Sequence, residues 1–181
     1  KELVAAGGID GMVTVGEMSS TTLENCIGYT AAGNHELSMC FNFHHLKVDF
    51  MGNEKWVMVP YDFQKLKDIL FSWQKGMAEH RAWNAVFWCN HDQPRVVSRF
   101  GDDGEYRKVS AKMLATLIHM MRGTPYIYQG EEIGMTNAGF HDISQYRDIE
   151  TLNVYNEMKL KGKTDEEIYR SLGRKSRDNA R

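Results

Sequence analysis

Residues 86–95 read Val86-Phe87-Trp88-Cys89-Asn90-His91-Asp92-Gln93-Pro94-Arg95. A run of side chains that favour burial stops abruptly at an amide, an imidazole and a carboxylate. A strand with this ending is either a polar turn at a domain surface or the rim of a site, and the rest of the chain decides between the two. Three other short apolar stretches end the same way. Met12 to Val15 reads as a short buried strand followed by Gly16-Glu17. Leu37 to Phe43 is followed by His44-His45, and Tyr126 to Tyr128 by Gln129-Gly130-Glu131-Glu132. The stretch quoted first extends back to Trp83. All four are rich in apolar, aromatic or β-branched residues and are flanked by polar residues or glycine.

Helical patterns separate these strands. Phe63, Leu66, Leu70, Trp73 and Met77 recur at three- and four-residue steps, which gives one apolar stripe. Leu114, Leu117, Ile118 and Met121 do the same, and Gly123 sits where a helix would stop. Thr21-x-x-Glu24 and Thr164-x-x-Glu167 read as capping boxes at two helix starts, and Tyr146 to Lys161 as a further helix. Strand–helix alternation implies parallel strands joined by helical crossovers. An open doubly wound sheet loads only the strand ends at its switch point. A barrel gathers every C-terminal strand end around one mouth. Four polar strand ends therefore predict an α/β fold of the (β/α)8 TIM-barrel type. A full barrel takes about 250 residues and eight strands, so four strands amount to half of one, read as one domain over 1–181.

Composition excludes several function classes. The chain has 181 residues, 42% hydrophobic and 25% charged, with a net charge of −2. That is ordinary for a globular domain and leaves no basic footprint for nucleic acid. Lysines and arginines are interleaved with acids, which argues against a membrane-surface patch. No apolar run approaches the roughly 20 residues that span a bilayer, and KELVAAGGIDGM does not have the form of a signal peptide. Cys26, Cys40 and Cys89 are odd in number and lack C-x-x-C spacing, so buried, reduced thiols in a cytoplasmic protein are expected.

Glu17 and Asp92 are the carboxylates best placed for chemistry, on different strands and both at C-terminal ends. Glycoside hydrolysis uses such a set: one carboxyl gives a proton to the leaving oxygen and others stay ionised beside oxocarbenium charge. The plainer alternative for each is a strand-end acid paired with an arginine. His91 can share substrate hydroxyls with Asp92 or serve structurally. Arg95 can bind those hydroxyls or orient Asp92, although a loop-fixing salt bridge explains it more simply. Lys47, after the second strand, can hold a phosphate as a point charge or be a solvated loop lysine. Gln129, Glu131 and Glu132 are read as loop caps or pocket lining, and Trp83 and Trp88 as core. Adjacent His44 and His45 point different ways and have no ligand-spaced partner, so no metal and no cofactor is expected. Phosphate-loop, dinucleotide and serine-hydrolase motifs are absent.

Val13 to Met18, Phe87 to Arg95 and Gly123 to Met135 together resemble glycoside hydrolase family 13, the α-amylase family, in its oligo-1,6-glucosidase branch. The resemblance covers essentially the whole chain, and Lys175 to Arg181 fits it too. It implies that the four strands are about the fifth to eighth of the barrel. Glu17 would then be the general acid/base, Asp92 the third carboxylate, and His91 a ligand of sugar hydroxyls. The family's nucleophilic Asp lies in a G-F-R-x-D type motif that these 181 residues do not contain, and Asp10 does not match it. The resemblance further implies a retaining α-glucosidase that cleaves a phosphorylated disaccharide of the trehalose type to glucose and glucose 6-phosphate. The alternatives are an enzyme acting on α-1,6-glucosides and a non-catalytic scaffold of the same family. Without the nucleophile, this stretch alone is expected to be inactive. A half barrel exposes two sheet edges, so a homo-oligomer through those edges is expected.

Overall fold

The computed structural model describes residues 11–34 and 36–180. They form four parallel strands: β1 (Val15–Glu17), β2 (Met39–Phe41), β3 (Asn84–Phe87) and β4 (Thr124–Tyr126). The sheet order is strictly sequential, β1-β2-β3-β4. Val15 pairs with Met39, Cys40 with Asn84, and Ala85 with Thr124. Helix α1 (Leu23–Thr30) connects β1 to β2, α2 (Phe63–Glu79) connects β2 to β3, and α3 (Val96–Phe100) with α4 (Arg107–His119) connects β3 to β4. Beyond β4 come α5 (Ile149–Leu160) and α6 (Asp165–Lys175). A sheet whose strands follow one another in sequence order, each returned by a helix, is an arc of a (β/α)8 barrel. An open doubly wound sheet would reverse direction at a switch point.

The chain packs as two compact units. Among the described residues, the first holds 11–34, 36–48, 61–87 and 117–126, and the second 49–60, 88–116 and 127–180. All four strands lie in the first unit. Its core forms where α1 and α2 cover β2, around Cys26, Cys40, Trp73, Met77 and Ala82. Strand alternation sends Phe41 to the other face, where its ring meets Phe87 and Tyr126 edge to face, with centroids 5.1 and 4.6 Å apart. Gly123 allows β4 to approach β3: a Cβ there would lie 2.9 Å from the Asn84 carbonyl oxygen. The second unit has its own cluster, Tyr146, Val154, Ile168 and Leu172, beneath α5 and α6.

Several expectations shift. Met12 to Val15 is not a buried strand. The strand begins at Val15, and Val13 and Val15 are 64% and 38% exposed, because β1 pairs only with β2 and so forms a sheet edge. The last strand comes earlier than Tyr126 to Tyr128. It is the other edge and admits Pro125, since an edge strand does not need every N–H in the ladder. Trp88 is core, but Trp83 lies at the surface beneath the Arg122 guanidinium, 4.6 Å away, and donates to Thr124 Oγ1. The cap of α1 is Thr22 rather than Thr21, its hydroxyl accepting from Asn25 N. The Thr164 and Glu167 box at α6 forms as read. Helix α5 starts at Ile149, later than Tyr146, because Asp148 caps it.

Candidate functional site

The turn after β3 belongs to the second unit and is tied down residue by residue. Cys89 Sγ accepts from Val96 N at 3.0 Å. Asn90 Oδ1 accepts from Asp92 N at 2.8 Å, an Asx turn that sets the direction of Asp92. Arg99 Nη1 donates to Gln93 Oε1 at 2.8 Å. Arg99 in turn makes a two-pronged ion pair with the buried Asp49, at 3.1 and 2.7 Å, and Lys175 Nζ reaches the same carboxylate at 2.8 Å. Burial would raise the Asp49 pKa, but Arg99 and Lys175 outweigh it and hold the group below the usual carboxylate range. The Gln93 side chain thus joins the Asp92 turn to the buried cluster of Asp49, Arg99 and Lys175.

Asp92 itself stays half-buried. Its carboxylate takes Arg177 Nη1 on Oδ1, and His91 Nε2 lies 3.3 Å from Oδ2. His91 is exposed. Arg95 is buried and far more constrained. It donates Nε to Asp178 at 2.7 Å and Nη1 to the Gln129 carbonyl, while its guanidinium lies 4.7 Å over the Tyr128 ring. Its geometry is that of a loop-fixing ion pair. Glu131 Oε2 accepts from Tyr128 N, and Glu132 Oε2 from Gly130 N, so both cap the loop after β4.

The segment after α6 holds partners that sequence reading missed. Arg177 spans Asp92 and Asp148, Asp178 pairs with Arg95, and Asn179 donates to the Gln145 carbonyl. Arg177 and Asp92 are 85 positions apart, and no periodicity marks such a pair. The only sequence signal was a charged run, Lys175-Ser176-Arg177-Asp178, directly after a helix.

In the first unit, Glu17 ends β1 opposite Phe41. It is exposed, and its carboxylate makes no hydrogen bond or ion pair among the described residues. Lys47 lies in a 3₁₀ turn after β2 (His44–Lys47), and its ammonium donates to the Ser19 carbonyl at 3.1 Å and Ser20 Oγ at 3.4 Å, two and three residues past Glu17. His44 is structural: its Nε2 lies 2.6 Å from the Thr21 carbonyl oxygen and its ring stacks on Trp73. His45 is buried, with Nε2 2.8 Å from the Phe87 carbonyl oxygen. The three thiols are buried and unbridged, and burial drives the Cys89 thiol well above its usual range. Asp10 lies outside the described residues.

Comparison with known proteins gives the family of the chain. The model of the alpha-amylase catalytic domain matches residues 2–181. Trehalose-6-phosphate hydrolase of Bacillus subtilis is 65% identical over 93% of this chain, and the probable oligo-1,6-glucosidase 2 of the same organism is 54% identical over 94%. The crystal structure of Bacillus licheniformis trehalose-6-phosphate hydrolase superposes with a TM-score of 0.89 at 63% identity, covering 92% of this chain. In each case the chain spans about 30% of the relative's length. A sequential parallel sheet with polar C-terminal strand ends, matched by the family model from end to end, identifies this chain as a member of the alpha-amylase family, within its catalytic domain.

Proposed function

We propose that this chain is the part of a retaining α-glucosidase that carries the acid/base, and that the whole enzyme hydrolyses trehalose 6-phosphate to glucose and glucose 6-phosphate. The observation that carries the reading is the position of two carboxylates along the chain: Glu17 at the C-terminal end of β1, and Asp92 in the turn five residues past the end of β3, a strand parallel to β1. The likeness to two trehalose-6-phosphate hydrolases supports the choice of substrate.

In this reading Glu17 donates a proton to the glycosidic oxygen as the bond breaks, and then, as a carboxylate, takes a proton from the attacking water. Asp92 remains ionised and accepts hydrogen bonds from sugar hydroxyls near the developing positive charge, with His91 beside it. The nucleophilic carboxylate, about 5–5.5 Å from the acid in retaining enzymes, comes from outside these 181 residues. The 181-residue chain alone is therefore expected to release no glucose. Lys47, held against the loop that follows Glu17, supplies a cation for the 6-phosphate. Arg95 serves the reading by fixing the loop that carries Asp92. The second reading, an α-1,6-glucosidase, is favoured by the 54% identity to the probable oligo-1,6-glucosidase.

The test uses the full-length protein. Trehalose 6-phosphate should be cleaved with a higher kcat/KM than isomaltose; the reverse order selects the second reading. Glu17→Gln should lower kcat by about 10²–10⁴-fold, the usual weight of general acid–base catalysis. The loss should shrink for an aryl glucoside whose leaving group needs no proton. An unchanged kcat on both substrates refutes the role of Glu17.

A further inference from the structure

We propose that Cys26 and Cys40 are a dithiol that hydrogen peroxide closes to a disulfide, and that the bond fastens α1 to β2. The inference is independent of the reaction assigned to Glu17 and Asp92. The two residues lie 14 positions apart on different elements, Cys26 in α1 and Cys40 at the centre of β2. Both are fully buried in the core beneath α1 and α2, and both are free thiols. Cys40 donates its S–H to Cys26 Sγ, with the sulfurs 2.9 Å apart. A disulfide bond is ~2.05 Å long, so closure asks for about 1 Å of movement. Cys89, the third thiol, has different company: its sulfur accepts from Val96 N and its S–H faces the Pro94 carbonyl at 3.8 Å.

The peroxide balances the chemistry. The Cys26 sulfur attacks one peroxide oxygen, the O–O bond breaks, and a water leaves with the Cys26 proton, which gives a sulfenic acid. The Cys40 sulfur attacks the Cys26 sulfur, the S–O bond breaks, and a second water leaves with the Cys40 proton. Two thiols lose two electrons in all, and one peroxide becomes two waters. The order follows from the hydrogen bond. The S–H that Cys40 gives favours a thiolate on Cys26 and holds that thiol below its usual range, while the same bond pushes Cys40 up. The thiolate is the nucleophile, so Cys26 reacts first. Access comes through α1, which has eight residues, of which only Cys26 and Thr30 are buried. A helix that short has little stability of its own. It therefore opens more readily than the sheet that holds Cys40 between Gly16 and Asn84. A bond between the two sulfurs ties this thin cover to the strand.

The test treats the folded full-length protein with hydrogen peroxide, removes the peroxide, unfolds the protein in an alkylating reagent and cuts it after glutamate. Cuts after Glu24, Glu36 and Glu54 leave the two cysteines on separate peptides, 25–36 and 37–54. The expected product is these two peptides joined, lighter than their sum by two hydrogens and parted again by dithiothreitol, with Cys89 recovered as an alkylated thiol. In Cys40→Ser, which keeps a donor beside Cys26, the link should vanish and oxygen should add to Cys26. In Cys26→Ser the link should vanish and Cys40 should stay a thiol. Hydrogen exchange of the α1 amides should slow by about tenfold or more in the oxidised parent. Recovery of both cysteines as thiols from the oxidised parent overturns the proposal, whether or not either variant folds. So does a link that forms only when the protein is oxidised in urea, because the folded contact then plays no part. Oxygen added to both cysteines of the parent without a link overturns it too. A link with unchanged exchange in α1 overturns the fastening of α1 to β2.

Discussion

Asp92 has its backbone nitrogen tied to Asn90, its carboxylate gripped by Arg177 and His91 against its second oxygen. Glu17, at the end of β1, stands exposed, and its carboxylate makes no hydrogen bond or ion pair among the described residues. The two carboxylates are assigned to one reaction, yet their surroundings differ in kind. The difference matches the work proposed for each. A carboxylate that stabilises positive charge acts in its ionised form, and an arginine beside it favours that form. A group that must donate a proton and later accept one would be disabled by the same arginine, which would hold it ionised throughout the cycle.

The largest effect should come from breaking the support beneath the ordered side. Asp49 neutralises Arg99 and Lys175 in a buried cluster, and Arg99 holds Gln93 in the Asp92 turn. In the full-length protein, Asp49→Asn should cost about 3–5 kcal/mol of stability, because two buried cations lose their counter-charge. Urea unfolding at pH 7 checks this. The pH dependence follows from the depressed Asp49 pKa. A carboxylate whose folded pKa lies below its unfolded value contributes stability at pH values above the unfolded pKa and loses it as pH falls through the folded one. The parent protein should therefore lose this contribution as pH drops below about 3.8, its ordinary value, and Asp49→Asn should show no such loss from this site. An equal acid limb in both proteins would mean that Asp49 does not anchor the turn.

The open side is sharpened by Lys47. Its ammonium leans on Ser19 and Ser20, just past Glu17. Lys47→Ala should lower kcat/KM for trehalose 6-phosphate by about 10- to 100-fold, the weight of one hydrogen bond to a charged group, about 1.5–3 kcal/mol, while hydrolysis of an unphosphorylated glucoside changes little. Equal losses on both substrates would make Lys47 a support for the Glu17 loop and not a phosphate ligand.

Much of this was legible in the residues and some was not, for physical reasons. The stripe from Phe63 to Met77 became α2 because a 3.6-residue period is local and needs no partner to be read. Thr164 and Glu167 close their box for the same reason. The sequential sheet followed from strand–helix alternation. The first strand was misread as buried because apolar character reports preference, whereas burial depends on what covers the strand, and Val13 and Val15 lie at an edge. The cap at Thr22 was missed by one residue because either of two adjacent threonines suits the pattern. The polar framework of the site was the least visible part. Arg177 reaches Asp92 over 85 residues and Asp148 over 29, and pairings of that length leave no mark on local composition.

The smallest expected effect lies away from both carboxylates, and the comparison needs it as a baseline. Thr164 caps α6, its hydroxyl accepting from Glu167 N at 3.2 Å while Glu167 reaches back to Thr164 N at 3.0 Å. Thr164→Ala removes half of that reciprocal box and should lower stability by about 1 kcal/mol. The helix ends in Lys175, which belongs to the Asp49 cluster, so fraying at its N-terminus tests whether loosening travels along α6 to the Asp92 turn. A helix loses its first turn without disturbing its last when the last is held by packing, and Ile168, Leu172 and Lys175 are all buried. Turnover should therefore stay within twofold of the parent while the urea midpoint falls. A turnover loss of about tenfold or more would show that α6 transmits strain as a rigid rod, and the ordered side would then owe its order to the whole helix and not to the ion pairs around Asp92.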